Sequence, residues 1–134
     1  MMPSDFAAYI YHRLSTDSTI LGLVGQRIYN TVVPTGVSYP VVVFVLNSYL
    51  DMRGSGERWG GRALYLIKGI IPSPSLTTSM RQLANRIDEL FEATVSDHGG
   101  HTYASWRDAP VDITEPVGTE VWRHIGGLYW ILGY

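Results

Sequence analysis

The chain has no cysteine, which excludes a disulfide framework, a thiolate zinc site and a cysteine nucleophile. Charge is sparse. Only 16% of the 134 residues are charged against 46% hydrophobic, so the chain is neither disordered nor highly charged. The formal net charge of -2 lacks the basic excess of a free-standing nucleic-acid binder. Lysine is nearly missing: of ten basic residues, nine are arginine and only Lys68 is lysine. Arginine is favoured at protein interfaces, where its planar fork makes several bonds at once, although genomic base composition produces the same bias. No apolar run is long enough to span a membrane, and the Met-Met-Pro-Ser-Asp start lacks the basic residues of a signal peptide. The expectation is a soluble protein made and used in a cytosol.

Catalytic patterns are missing as well. Gly54-Ser55-Gly56 and Gly60-Gly61 share glycine content with phosphate loops, but no Gly-Lys-Ser/Thr follows. No serine sits in a nucleophile elbow. Asp88 and Glu89 are adjacent on an expected helix and face different directions, so they cannot work as a carboxylate pair. His98-Gly-Gly-His101, with Asp97, can be read as a metal site, but its spacing fits no named zinc motif and its glycines suggest a solvated turn. His12 and His124 stand alone. The sequence therefore predicts no enzyme, no cofactor and no metal site.

What is present is organised around residues 39–49, Tyr-Pro-Val-Val-Val-Phe-Val-Leu-Asn-Ser-Tyr, the most apolar run in the chain. It is short, bounded by turn residues and rich in β-branched and aromatic side chains, which reads as a buried strand. Val41, Val43 and Val45 point to one face; Val42, Phe44 and Leu46 point to the other. Both faces are apolar and both need cover, either from the first helix or from a neighbouring subunit.

Before this strand, Ser4 or Asp5 can cap a helix over 6–14, and Asp17 or Ser18 a short helix over 19–24 stopped by Gly25. A strand is expected over 27–33 and a loop over 34–40. After the central strand, residues 51–61 read as a mobile hairpin tip or longer loop, and 62–71 as the antiparallel return strand. Ser73 or Ser75 can cap a helix over 76–94, on which Leu76, Met80, Leu83, Ile87, Leu90 and Phe91 form one apolar stripe. Residues 97–100 read as a turn and 101–107 as a strand. Residues 108–118 look looser, and 119–134 read as a closing strand or bent pair with Gly126-Gly127 as a bulge or turn. The predicted fold is a single α+β domain over residues 1–134. It has a mainly antiparallel sheet, one long amphipathic helix packed on one face, and short N-terminal helices.

The order of landmarks resembles the phage tail-completion family, which includes tail terminators and tail-to-head joining proteins of long-tailed phages. The resemblance is carried by Asp17-Ser-Thr-Ile-Leu-Gly-Leu-Val-Gly-Gln-Arg27-Ile28-Tyr29, then Val33-Pro34, then Tyr39-Pro40-Val-Val-Val. A polar glycine-rich loop, a strand, an amphipathic helix, a short strand and the stretch Val121-Trp-Arg-His-Ile follow in the same order. The aromatic, glycine-interrupted end from Gly126 to Tyr134 departs from the plainer closing strand of the family. The resemblance implies a structural protein of the virion tail or neck, assembled in the host cytoplasm. It implies a ring, typically of six subunits, on the end of the tail tube, bound to the tail-tube protein and to the head connector or stopper. DNA passes through such a ring without sequence-specific binding. Another neck component, such as an adaptor or stopper, is the alternative; a small metal-dependent enzyme using His98 and His101 is the more distant one.

Within this reading residues 51–61 are expected to contact a neighbouring subunit or the tail tube. Four glycines make the stretch costly to order, and a connection alone would need only about two to five residues. It also carries Arg53, Glu57, Arg58 and Trp59, and Arg and Trp often dominate interface energy.

Overall fold

The computed structural model describes residues 1–73 and 77–134. In chain order the elements are α1 (Pro3–Ser15), α2 (Ser18–Val24), β1 (Ile28–Asn30), β2 (Val41–Gly54), β3 (Glu57–Ile71), α3 (Thr78–Phe91), β4 (Thr94–His98), β5 (His101–Val117) and β6 (Glu120–Gly133). The six strands form one sheet in the order β1-β2-β3-β6-β5-β4. All neighbours pair antiparallel except β1 with β2, so the sheet is mixed.

This corrects the predicted architecture of one long helix on a sheet face. The sheet takes 52% of the described residues and the helices 26%, and α3, with 14 residues, is barely longer than α1 with 13. Two local causes shorten α3. Thr77 caps it, its side chain accepting a hydrogen bond from the Met80 amide at 3.2 Å. At the other end Glu92 is extended and Ala93 takes a φ of +50°, which breaks the helical path. The β-branched pair Thr94-Val95 then starts β4, which the sequence reading had merged into the helix end and a turn. The expected cap Ser75 and stripe residue Leu76 lie outside the described residues.

The helical layer is shared by three short helices on one face of the sheet. Phe6, Tyr9, Ile10 and Leu14 of α1, Ile20 and Val24 of α2, and Met80, Leu83, Ile87, Leu90 and Phe91 of α3 are buried with Val42, Phe44, Tyr65, Ile67, Tyr129 and Ile131 of the sheet. Aromatic packing fixes α1: Phe6 meets Tyr49 and Tyr103 edge-on at 5.5 and 5.4 Å, and Tyr9 stacks on Tyr103 at 4.2 Å. Asp17 joins α2 to α3. Its carboxylate caps α2 through the Ile20 amide at 3.0 Å and accepts from Arg86 Nη2 at 2.6 Å and Nε at 3.1 Å. The Arg86 bonds, with the backbone bonds, hold the Asp17 carboxyl below the usual carboxylate range against the opposing cost of burial.

The second face of β2 is covered neither by α1 nor, at its first residues, by another chain. Val41, Val43 and Ile70 pack with Val33, Val37, Tyr39 and Trp122, so the segment leading into β2 folds back over it. Three other sequence expectations change. Of the two readings of residues 51–61, the hairpin tip holds rather than the longer loop, but mostly as strand: β2 and β3 run on as a ribbon closed by Ser55-Gly56, both at positive φ as a two-residue hairpin turn requires. Residues 108–117 are strand rather than loose chain, and Gly118 begins the turn to β6. Gly126-Gly127 is neither bulge nor turn; both residues stay in register with β3 and β5. A Cβ at Gly126 would strike the backbone of Ile67 and Lys68, so glycine is there to let two strands approach.

Leu83→Ala or Ile87→Ala is expected to cost about 2–5 kcal/mol in denaturant titration, since both side chains are fully buried. A loss of a few tenths would place the α3 stripe outside the core. Asp17→Ala is expected to lose the cap, about 0.5–2 kcal/mol, together with the Arg86 pair, whereas Asp17→Asn keeps the cap. The native carboxyl titrates below its unfolded value, so its contribution is fully present above about pH 4–5 and fades as pH falls through the folded value. Unfolding free energies measured from pH 6 down to pH 2 should therefore fall less steeply in Asp17→Asn than in the wild type.

Candidate interaction surface

Cross-strand register defines what the second face presents. Residues directly opposite one another share a face, and on this side they form rows: Val41–Ile70–His124–Ile113, Val43–Lys68–Gly126–Val111, Val45–Leu66–Leu128–Ala109, Ser48–Leu64–Trp130–Trp106 and Leu50–Arg62–Leu132–Ala104. The first two rows lie under the 33–39 segment on the β2 side. The last two lie beyond it and still carry leucine and tryptophan. Leu50 is 60% exposed and Trp106 39%, while Leu64, Trp130 and Leu132 are half-buried. An antiparallel sheet with one solvated face normally alternates apolar and polar residues. Here β3 and β6 are apolar on both sides.

Arg62 stands in the middle of this open half. Its guanidinium lies 4.0 Å from the Trp130 ring centre, and its buried Nε has no hydrogen-bond partner among the described residues. The Trp130 indole donates to Asp108 at 3.2 Å from the bulge between Arg107 and Ala109. Farther along the same face, Lys68 and His124 are neighbours across β3 and β6. Burial and mutual repulsion hold the His124 imidazole below its usual value, against the pull of Glu115 at 3.8 Å. Burial likewise lowers Lys68.

The sheet ends in two ribbons at opposite ends. Beyond Gly61, which pairs with Gly133, β2 and β3 continue alone to the Ser55-Gly56 turn. This ribbon carries the four residues expected to contact a partner. Trp59 is 53% exposed and 6.4 Å from the Tyr134 ring; Arg58 lies 3.8 Å from Asp51; Arg53 donates to the Gly56 carbonyl at 3.3 Å; Glu57 pairs with Gly54 beside the turn. A cleft of about 210 Å³ opens at its base between Asp51, Arg58, Trp59, His101, Tyr134 and Met1. At the other end, beyond Ile71, which pairs with Arg123, β5 and β6 continue alone to the turn after Val117. There Ile113 and Val117 are 54% and 45% exposed, and Asp112 holds Arg123 at 2.7 Å.

His98 and His101 do face each other across the β4–β5 turn, yet His98 stacks on His12 at 4.6 Å and Asp97 accepts from Thr102 at 2.7 Å. Among the described residues no three His, Asp or Glu side chains are grouped to hold a metal ion. Sequence reading had noted the two-faced pattern of β2 but missed the same pattern in Arg62–Ile71 and Gly126–Leu132, where Leu64, Leu66, Leu128 and Leu132 alternate with buried Ala63, Tyr65, Tyr129 and Ile131.

The chain shares its fold with part of a virion. A chain from the solved virion of a native gene transfer agent (GTA) particle aligns over 93% of this chain and 92% of its own length, with a TM-score of 0.69 at 13% identity. A second solved chain, whose name states no activity, aligns over 100% of this chain and 98% of itself, with a TM-score of 0.63 at 15% identity. No protein-family model and no curated protein matches the chain. At these identities the likeness is one of fold.

If the half-face around Leu50 is open, Leu50→Ser should leave the unfolding free energy within about 0.5 kcal/mol of the wild type in denaturant titration. A loss of 2 kcal/mol or more, on the scale of about 2–5 kcal/mol for a core leucine, would show that this position belongs to the core.

Proposed function

We propose that the protein is a structural component of a long-tailed phage or phage-like particle. It forms a ring, typically of six subunits, at the head-proximal end of the tail tube. There it ends tube polymerisation and joins the tail to the head connector. The observation that carries this reading is the near-full-length likeness to a chain of a gene transfer agent virion, which agrees with the order of sequence landmarks along the chain. The role is one of binding rather than catalysis, without cofactor. Its partners are further copies of itself, the tail-tube protein and the head connector or stopper, and DNA passes through the lumen without sequence reading. Arg53, Glu57, Arg58 and Trp59 sit on a projecting ribbon suited to contact with a neighbouring subunit or the tube. Virion likeness carries no position along the neck, so an adaptor or stopper role is separated from a terminator role by where the chain lies along the particle axis.

The test is the mass of the purified protein, alone and with the tail-tube protein, joined to electron microscopy of particles lacking the chain. Ring-sized assemblies on the tube, and overlong or headless tails in its absence, are expected. A strict monomer at high concentration, with the tube and within assembled particles would overturn the reading.

A further inference from the structure

We propose that the β5–β6 ribbon of one copy, residues 112–122, lies on the open half of the second face of the next copy, against Leu50, Arg62, Leu64, Trp130 and Leu132. The inference rests on the self-assembly proposed above and names the surfaces that carry it. Three observations lead to it.

Each of the two surfaces is apolar and left uncovered by the described residues. Ile113 and Val117 are exposed on the ribbon, while Leu50 is exposed and Leu64, Trp130 and Leu132 are half-buried on the face. Scattered single exposed apolar residues need no explanation, but a contiguous set of rows does.

The charges are complementary. The ribbon carries Asp112, Glu115 and Glu120; Asp112 is engaged by Arg123, and Glu120 is exposed at the turn. The face carries Arg62, whose guanidinium lies 4.0 Å from the Trp130 ring centre and makes no ion pair among the described residues. A carboxylate from a neighbour supplies what this guanidinium lacks.

The alternative of joining copies edge to edge is disfavoured on the ribbon side. Beyond the residues paired with β4, β5 has an open edge, and it carries Pro110 and Pro116, which have no amide to donate. On that edge Pro116 leaves the ribbon poorly suited to strand pairing, and its exposed Ile113 and Val117 place the contact on a face. Ribbon and receiving face lie at opposite ends of one sheet, so a chain cannot satisfy its own. A contact between two different patches is heterologous and generates rings where the rotation closes. The strong twist of two-stranded ribbons lets the ribbon leave the plane of its own sheet.

The test places a benzophenone photocrosslinker at Val117 and, separately, at Leu50, and maps the products by peptide mass spectrometry in assembled protein. Val117 should capture residues 50–66 or 128–132 of another copy, and Leu50 should capture residues 112–120. Glu120→Arg and Arg62→Glu should each raise the concentration at half-assembly about tenfold or more, and the two together should restore it. Assemblies of ring mass whose crosslinks fall elsewhere, join ribbon to ribbon, or capture the tail-tube protein at Leu50 overturn this contact and leave the ring reading standing. Absence of any assembly in every condition defeats the ring reading, and this contact with it.

Discussion

The constraint on which the structure depends is the antiparallel ladder between β3 and β6, whose residues carry apolar side chains to both of its faces. Every other element can be understood as cover for it. Three helices cover one face, with the Phe6–Tyr103–Tyr9 stack and the α3 stripe filling the space above Tyr65, Ile67, Tyr129 and Ile131. The 33–39 segment covers the start of the second face. Among the described residues no element covers the rest. A 134-residue chain that commits more than half its length to strands has few helical residues left with which to cover a second face.

This division gives the fold a continuous core on one side and apolar rows on the other. The covered face supplies a continuous buried core. The open half-face supplies apolar rows with an arginine among them, a composition suited to an interface. Polar groups bracket it without filling it: Trp130 donates to Asp108 at one border, and Lys68 and His124 lie at the other.

The sequence was most informative where a pattern had one cause. Three-and-four spacing placed Met80, Leu83, Ile87, Leu90 and Phe91 on one buried stripe, Asp17 is the cap of the two residues proposed before the short apolar run, and β-branched density located a strand that begins at Val41 and runs beyond Tyr49 to Gly54. It was least informative where tertiary context overrode local preference. The helix was read too long because nothing in the composition of Glu92-Ala93 announces a positive φ. Residues 51–61 were legible as a hairpin tip, but the glycine count also suggested a longer loop, whereas two of the four glycines, Gly60 and Gly61, stand in β3 where a Cβ would strike the Gly133 carbonyl or Tyr49. The cover of β2 by its own preceding segment could not be read from periodicity, since 33–39 has none. The candidate surface was half legible: Arg53, Arg58 and Trp59 do lie on a projecting ribbon, whereas Arg62, Leu64 and Trp130 were hidden inside what looked like an ordinary return strand.

The most direct measurement of the central claim, that half of one sheet face is left open for a partner, is hydrogen exchange compared between free and assembled protein. The account predicts slower exchange on assembly in 45–54 of β2, in 104–111 of β5 and in the β5–β6 ribbon, with the amides of α1 and α3 unchanged. Protection gained only in the helical layer, with those strands exchanging as in the free protein, would contradict it.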